Sequence, residues 1–143
     1  MKQVILIVIL LLFFSCTDKK KKIEFVQSKV TKSLFLIKNP PENDFLLKKE
    51  ISLFLIKNHS KNKNEYKMFY KYSSNTKDFI ENERPGGYFR EYLDHYREDQ
   101  FATFTIEQCE IDSTKLLGRL YFYGLKGSDD GQKEIDTLIY KCK

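Results

Sequence analysis

Between Val4 and Phe14 the chain runs through eleven consecutive apolar residues (VILIVILLLFF), with Lys2 before them and Ser15-Cys16 after. This stretch decides what is left to fold. A helix crossing a bilayer needs about 20 apolar residues, so the run is too short for a stable span. Its size and flanks are those of a secretory signal, which is removed from the mature chain. Taking residues 1–15 from the 143 leaves 128, enough for one domain that buries about two-thirds of its unfolded surface. The expected organisation is a signal peptide over 1–15, a short tether over 16–22 and a single globular domain over 23–143.

The end of that stretch, Phe13-Phe14-Ser15-Cys16, resembles a lipobox, the processing site of bacterial lipoproteins. The resemblance implies cleavage between Ser15 and Cys16, a diacylglyceryl group on the Cys16 sulfur, and acylation of the new amine. Phe14 departs from the family pattern, which has a small residue two places before the cysteine. The alternatives are an ordinary cleaved signal with an incidental cysteine, or an uncleaved N-terminal anchor. One acyl chain holds a protein to a membrane only marginally, whereas two or more, at about 0.8 kcal/mol per buried methylene, make attachment stable. A triacylated Cys16 would therefore be a lasting membrane anchor. Thr17 stands where many inner-membrane lipoproteins carry Asp, and Lys19–Lys22 differ from the acidic tracts of surface-exported ones. The resemblance thus implies a cell-envelope location, with the periplasmic face of the outer membrane favoured.

The formal charge of +5 does not describe the folding part. Lys2 leaves with the signal, and Lys19–Lys22 lie in the tether. From Ile23 onward there are 20 basic and 19 acidic residues. A nearly neutral body lacks the basic face that nucleic-acid binding needs. The lysine run reads as a solvated, self-repelling spacer beside anionic headgroups.

Along the body, Ile23–Ile37 alternates loosely and suits one strand, stopped by Asn39-Pro40-Pro41 because proline lacks the ladder donor. Acids at 42–44, basic residues near 57–59, and Leu47, Ile51, Phe54 and Leu55 at helical spacing predict a helix over 41–58. Phe45, Leu46, Leu53 and Ile56 fall on its opposite side, which implies cover on two sides or a partial misreading. The heptapeptide SLFLIKN occurs twice, at 33–39 and 52–58. Its flanks do not match and a repeat fold needs about three copies, so coincidence is the simpler reading. One copy is then strand and the other helix. Tyr66–Tyr72 alternates as a strand, Arg84-Pro85-Gly86-Gly87 is a loop, and 89–98 suits a short helix. Segments 101–111, 115–123 and 134–142 read as strands joined by short polar turns, hence an antiparallel meander. The expected class is α+β: an antiparallel sheet of four to five strands with a C-terminal three-strand meander and one main helix packed on a face.

From Lys38-Asn39-Pro40-Pro41 onward, the chain also resembles small lipoproteins of unassigned function from Bacteroidota-type bacteria. The strings that carry the likeness are Phe69-Tyr70-Lys71-Tyr72, Pro85-Gly86-Gly87, 117–124 (LGRLYFYG) and 136–142 (DTLIYKC). This resemblance implies no catalytic residue.

With Cys16 assigned to lipid, Cys109 and Cys142 remain, an even pair in a disulfide-permissive compartment. A flat meander would separate them by two strand spacings, about 9.5 Å, beyond the ~7 Å that a disulfide spans. Either they are buried thiols or the strand ends converge. Asp94-His95-Tyr96 with Glu98 and Asp99 is the one local cluster of acid, imidazole and phenol. It lacks the further nitrogen or sulfur ligands that zinc takes, and a polar face on a surface helix accounts for it. No nucleophile or phosphate-loop motif occurs, and no cofactor or metal is implied. Nine tyrosines suit either core rings with rim hydroxyls or a contact surface, for which Tyr88, Tyr92, His95 and Tyr96 are candidates. The function expected is a non-catalytic, membrane-anchored envelope protein that binds a protein partner. An immunity- or inhibitor-like role is its sharpest form. An enzyme or sensor built on Asp94 and His95, or a spacer without a ligand, are the alternatives.

Overall fold

The computed structural model describes residues 21–29, 31–59, 65–78, 93, 95–129 and 131–142. Among them, six strands form one mixed sheet in the order of the chain: β1 (Glu24–Gln27), β2 (Leu34–Lys38), β3 (Tyr66–Lys71), β4 (Gln100–Gln108), β5 (Leu116–Phe122) and β6 (Glu134–Ile139). A helix, α1 (Asp44–Asn58), lies between β2 and β3 in sequence. The class is α+β. The strand count and pairing correct the expectation of four to five antiparallel strands. Ile23–Ile37 is two strands, not one: Gln27 Nε2 donates to the Lys32 carbonyl at 2.8 Å across a turn, and β1 folds back antiparallel onto β2. Strands β2 and β3 then pair in parallel, with Leu34 opposite Met68 and Ile37 opposite Lys71. Parallel neighbours need a crossover connection, and α1 supplies it.

Local chemistry starts and stops the helix. Asn43 is its N-cap, accepting the Leu46 amide on its side-chain oxygen at 2.8 Å. At the far end Asn58 Nδ2 donates back to the Phe54 carbonyl at 2.8 Å, and His59 is already extended. Leu47, Ile51 and Leu55 are fully buried against the sheet. They meet Phe35, Ile37, Phe69, Phe104, Leu120 and Phe122. Each such side chain contributes about 1.5–3 kcal/mol by leaving water. Strand β4 gains one residue where Phe69 opposes Ala102 but Tyr70 opposes Gln100. This bulge leaves Phe101 and Ala102 both in the same core.

The sheet curls around the helix, so that α1 touches both edge strands. The Phe54 ring stacks on Phe25 of β1 with centroids 4.4 Å apart. Lys48 bridges Glu134 and Asp136 of β6. The β5–β6 loop closes over the first turn of α1, where Asp44 accepts from the Leu125 amide and pairs with Lys133, each at 2.7 Å. Behind β2 and β3, a second cluster forms from Leu34, Leu36, Met68 and Tyr70 beneath Leu93. Strand β2 is therefore buried on both faces.

The twice-occurring heptapeptide takes both forms. In β2 its Leu34-Phe35-Leu36-Ile37 is buried residue by residue, while in α1 Leu53 and Ile56 are about half exposed. The two corresponding phenylalanines, Phe35 and Phe54, meet edge to face at 5.1 Å.

Candidate functional site

Strands β4 and β5 place mainly apolar side chains toward α1 and mainly polar ones on the convex side, whereas β6 turns Glu134 and Asp136 toward Lys48 of α1 and Ile135 outward. The alternation is direct: Phe104 and Ile106 lie in the core, and Thr103, Thr105 and Glu107 alternate with them along β4. Across the ladder Thr105 opposes Arg119, which opposes Thr137, while Thr103 opposes Tyr121, which opposes Ile135. On the neighbouring strand Tyr66 opposes Thr105. One continuous convex face therefore carries Tyr66, Thr105, Glu107, Arg119, Tyr121 and Ile135.

Three of these side chains are organised around one carboxylate. Glu107 Oε1 accepts the Thr105 hydroxyl at 2.9 Å and the Tyr121 hydroxyl at 3.4 Å. Glu107 Oε2 lies 3.8 Å from the Arg119 Nε. The Tyr121 hydroxyl beside it, together with Glu107, raises the Arg119 pKa still further above its ordinary value. The guanidinium side chain is 35 % and the carboxylate side chain 42 % exposed. Ile135 is 52 % and Tyr66 41 % exposed. The face thus presents a fixed cation, an acid and aromatic surface on rigid strands. Nothing in the arrangement is a nucleophile beside a base.

The local cluster of acid, imidazole and phenol at 94–99 lies only partly within the described residues. Tyr88, Tyr92 and Asp94 lie outside the described residues. His95 is exposed in the turn before a 3-10 segment at Arg97–Asp99. Tyr96 is half-buried and leans on the cluster of Leu34, Leu36, Met68 and Tyr70. His95 and Tyr96 thus differ in exposure, and the other two residues of the expected patch, Tyr88 and Tyr92, lie outside the described residues. Residues 97–99 form a 3-10 turn, and the helix expected over 89–98 lies mostly outside the described residues. Asp99 is buried and accepts the Ser73 hydroxyl at 2.7 Å, locking the end of β3 to the start of β4. Among the described residues, no three His, Cys, Asp or Glu side chains converge as a metal-binding group.

Cys109 and Cys142 are joined by a disulfide, with Cα atoms 5.7 Å apart. The strand ends converge by a visible route. β6 stops at Ile139, opposite Gly118, and Tyr140 takes a left-handed conformation with φ 57°. The chain then leaves the ladder and folds across the start of β5 toward Cys109, whose amide donates to the Lys115 carbonyl at 3.1 Å. The flat-meander distance does not apply once the last strand bends.

A groove of about 660 Å3 lies between β1 and α1, with Lys22, Ile23, Phe25, Leu53, Phe54 and Lys57 among its walls. No helix of the described residues is long and apolar enough to cross a membrane. Ser15 and Cys16 lie outside the described residues. Comparison with protein-family models, curated proteins and solved structures finds no match for this chain.

The convex face has a signal in the sequence. The period-two polar set Thr103, Thr105, Glu107 and its partner set Arg119, Tyr121 mark one side of each strand. Which side stays open depends on where α1 packs.

Proposed function

We propose that the chain is a non-catalytic, lipid-anchored envelope protein that binds a protein partner on the convex face of β4–β6. The lipid would be carried by Cys16, and the periplasmic face of the outer membrane is the proposed address. An immunity- or inhibitor-like role is the sharpest form of the reading. The observation that supports it is the Glu107-centred arrangement of Thr105, Tyr121 and Arg119, half-exposed between Tyr66 and Ile135. Arginine and tyrosine dominate interface hot spots because each buries a large, stiff surface with a polar end. Holding them in place beforehand lowers the ordering cost of association.

Two measurements test the reading. Crosslinking the native, membrane-attached protein should capture a stoichiometric protein partner. Arg119→Glu should weaken that capture about tenfold or more, equivalent to about 1.4 kcal/mol, with the circular dichroism spectrum unchanged. A partner retained at full yield by Arg119→Glu and by Tyr121→Ala would place binding elsewhere. For the anchor, Cys16→Ser should release the protein from membranes into the soluble fraction. Retention after a high-salt wash would exclude lipid on Cys16 as the attachment.

A further inference from the structure

The outer side of α1 is an apolar surface of the kind that a folded body covers only with something else. Phe45 is 77 %, Leu46 42 %, Leu53 51 % and Ile56 52 % exposed. At 3.6 residues per turn these four, with Lys49 and Lys57, fall within an arc of about 120°. Both lysines are exposed. The opposite arc, Leu47, Ile51 and Leu55, is fully buried. The helix is thus apolar on two sides with only one covered by the sheet, and exposed apolar surface of this kind marks an interaction site.

The position of the chain's start selects the occupant. Residues 22 and 23 line the groove beside Leu53 and Lys57, on the flank of this same surface. Lys22 follows Cys16 by only six positions, a reach of at most about 22 Å. An acyl anchor on Cys16 would therefore hold α1, and not the convex face across the sheet, close to the bilayer. The lysines in the arc and the run Lys19–Lys22 suit anionic headgroups, while Glu50, at the margin of the arc, stays toward the groove. Pairing two copies through α1 would instead bury Lys49 and Lys57 of both in one interface.

We infer that the Phe45–Leu46–Leu53–Ile56 surface of α1 docks on the lipid surface, carrying an interfacial helix beside the acyl anchor. This rests on the anchored reading of Cys16 proposed above. Four apolar side chains bind a bilayer weakly by themselves, because attachment scales with buried apolar area. The short tether raises their effective concentration at the membrane and makes the contact persistent. The docked orientation turns Arg119 and Tyr121 away from the lipid, toward a partner.

The chain contains no tryptophan, so a single introduced indole reports its own surroundings. The acylated full chain carrying Leu53→Trp, and separately Ile135→Trp on the convex face, would be incorporated into phosphatidylethanolamine–phosphatidylglycerol vesicles with brominated acyl chains. Co-sedimentation reads the anchor, and quenching reads the docking. Sedimentation with Leu53→Trp blue-shifted and quenched, and Ile135→Trp unquenched, is the expected result. Sedimentation with neither or both indoles quenched overturns the docking and leaves the anchor standing. A shift of Leu53→Trp that appears without lipid, together with a doubled particle mass, assigns the surface to a second copy. Absence of sedimentation removes the anchor and the docking together.

Discussion

The Asp44 carboxylate accepts the backbone amide of Leu125 at 2.7 Å, across 81 positions of chain. One acid in the first turn of α1 thereby serves the helix dipole and ties down the β5–β6 loop. Lys133 adds its ammonium at 2.7 Å to the same carboxylate. Burial pushes the Asp44 pKa up, but the Lys133 and Leu125 bonds outweigh it and hold the carboxyl below 3.8.

A depressed carboxylate contributes stability above its unfolded pKa and loses it as pH falls through the folded one. The Asp44 contribution is therefore present above about pH 4 and lost below it. Because the pair is more than a third exposed, it is worth under about 1 kcal/mol and weakens with salt. Asp44→Asn should flatten the acid limb of a urea-stability profile measured against pH. Lys48 behaves in the opposite sense. Burial lowers its pKa, but Asp136 and Glu134 outweigh that and raise it above 10.5, so its contribution is lost only as pH rises beyond that value.

Gly118→Ala should cost about 1–3 kcal/mol, the usual penalty of overpacking. A Cβ there would sit 2.6 Å from the Ile139 carbonyl oxygen and 3.2 Å from the Phe104 ring. The oxygen belongs to the paired strand and cannot yield without moving β6. A fall in the urea midpoint at unchanged slope checks it.

Reducing the Cys109–Cys142 bond should cost about 2–4 kcal/mol through the freed chain entropy of its 33-residue separation. The Cys109→Ser/Cys142→Ser protein should match the reduced wild type in thermal unfolding. Thiol labelling under denaturing, non-reducing conditions should find neither residue reactive.

Phe25 and Phe54 should couple by about 0.5–1.5 kcal/mol in a double-mutant cycle to leucine. Their stacking at 4.4 Å joins an edge strand to the helix, with Phe69 edge-on to both rings. Near-additive losses would assign the contact to simple burial.

Lys67 tests a buried ion pair. Its ammonium pairs with Glu65 and donates to the last helical carbonyl, Asn58 O, at 3.1 Å. Burial lowers its pKa. Lys67→Met alone should cost about 1–3 kcal/mol by removing a charge-assisted bond to the part-buried Glu65 carboxylate, and adding Glu65→Gln should recover part of the loss. Equal stabilities for the single and double variants would show that the pair is not coupled.

The sequence by itself determined α1 and the strands β3 to β6, because periodicity, capping residues and turn chemistry are local. Asn43, Asp44 and the apolar spacing of Leu47, Ile51 and Leu55 write the helix without reference to anything distant. The sequence left Cys109 and Cys142 open between buried thiols and a disulfide, and the bend after β6 decided for the disulfide. Only the tertiary structure decided that Ile23–Ile37 is two strands and that β2 and β3 run parallel. Those pairings depend on which partner a buried run such as Leu34–Ile37 finds, and a segment buried on both faces carries no alternation to say. The same physics hid the convex face: Glu107, Arg119 and Tyr121 lie side by side once β4 pairs with β5, but which side of that pair stays open depends on where α1 packs. It also set the fates of the two SLFLIKN copies, since a helix turns Leu53 and Ile56 outward where a strand between two layers buries every residue.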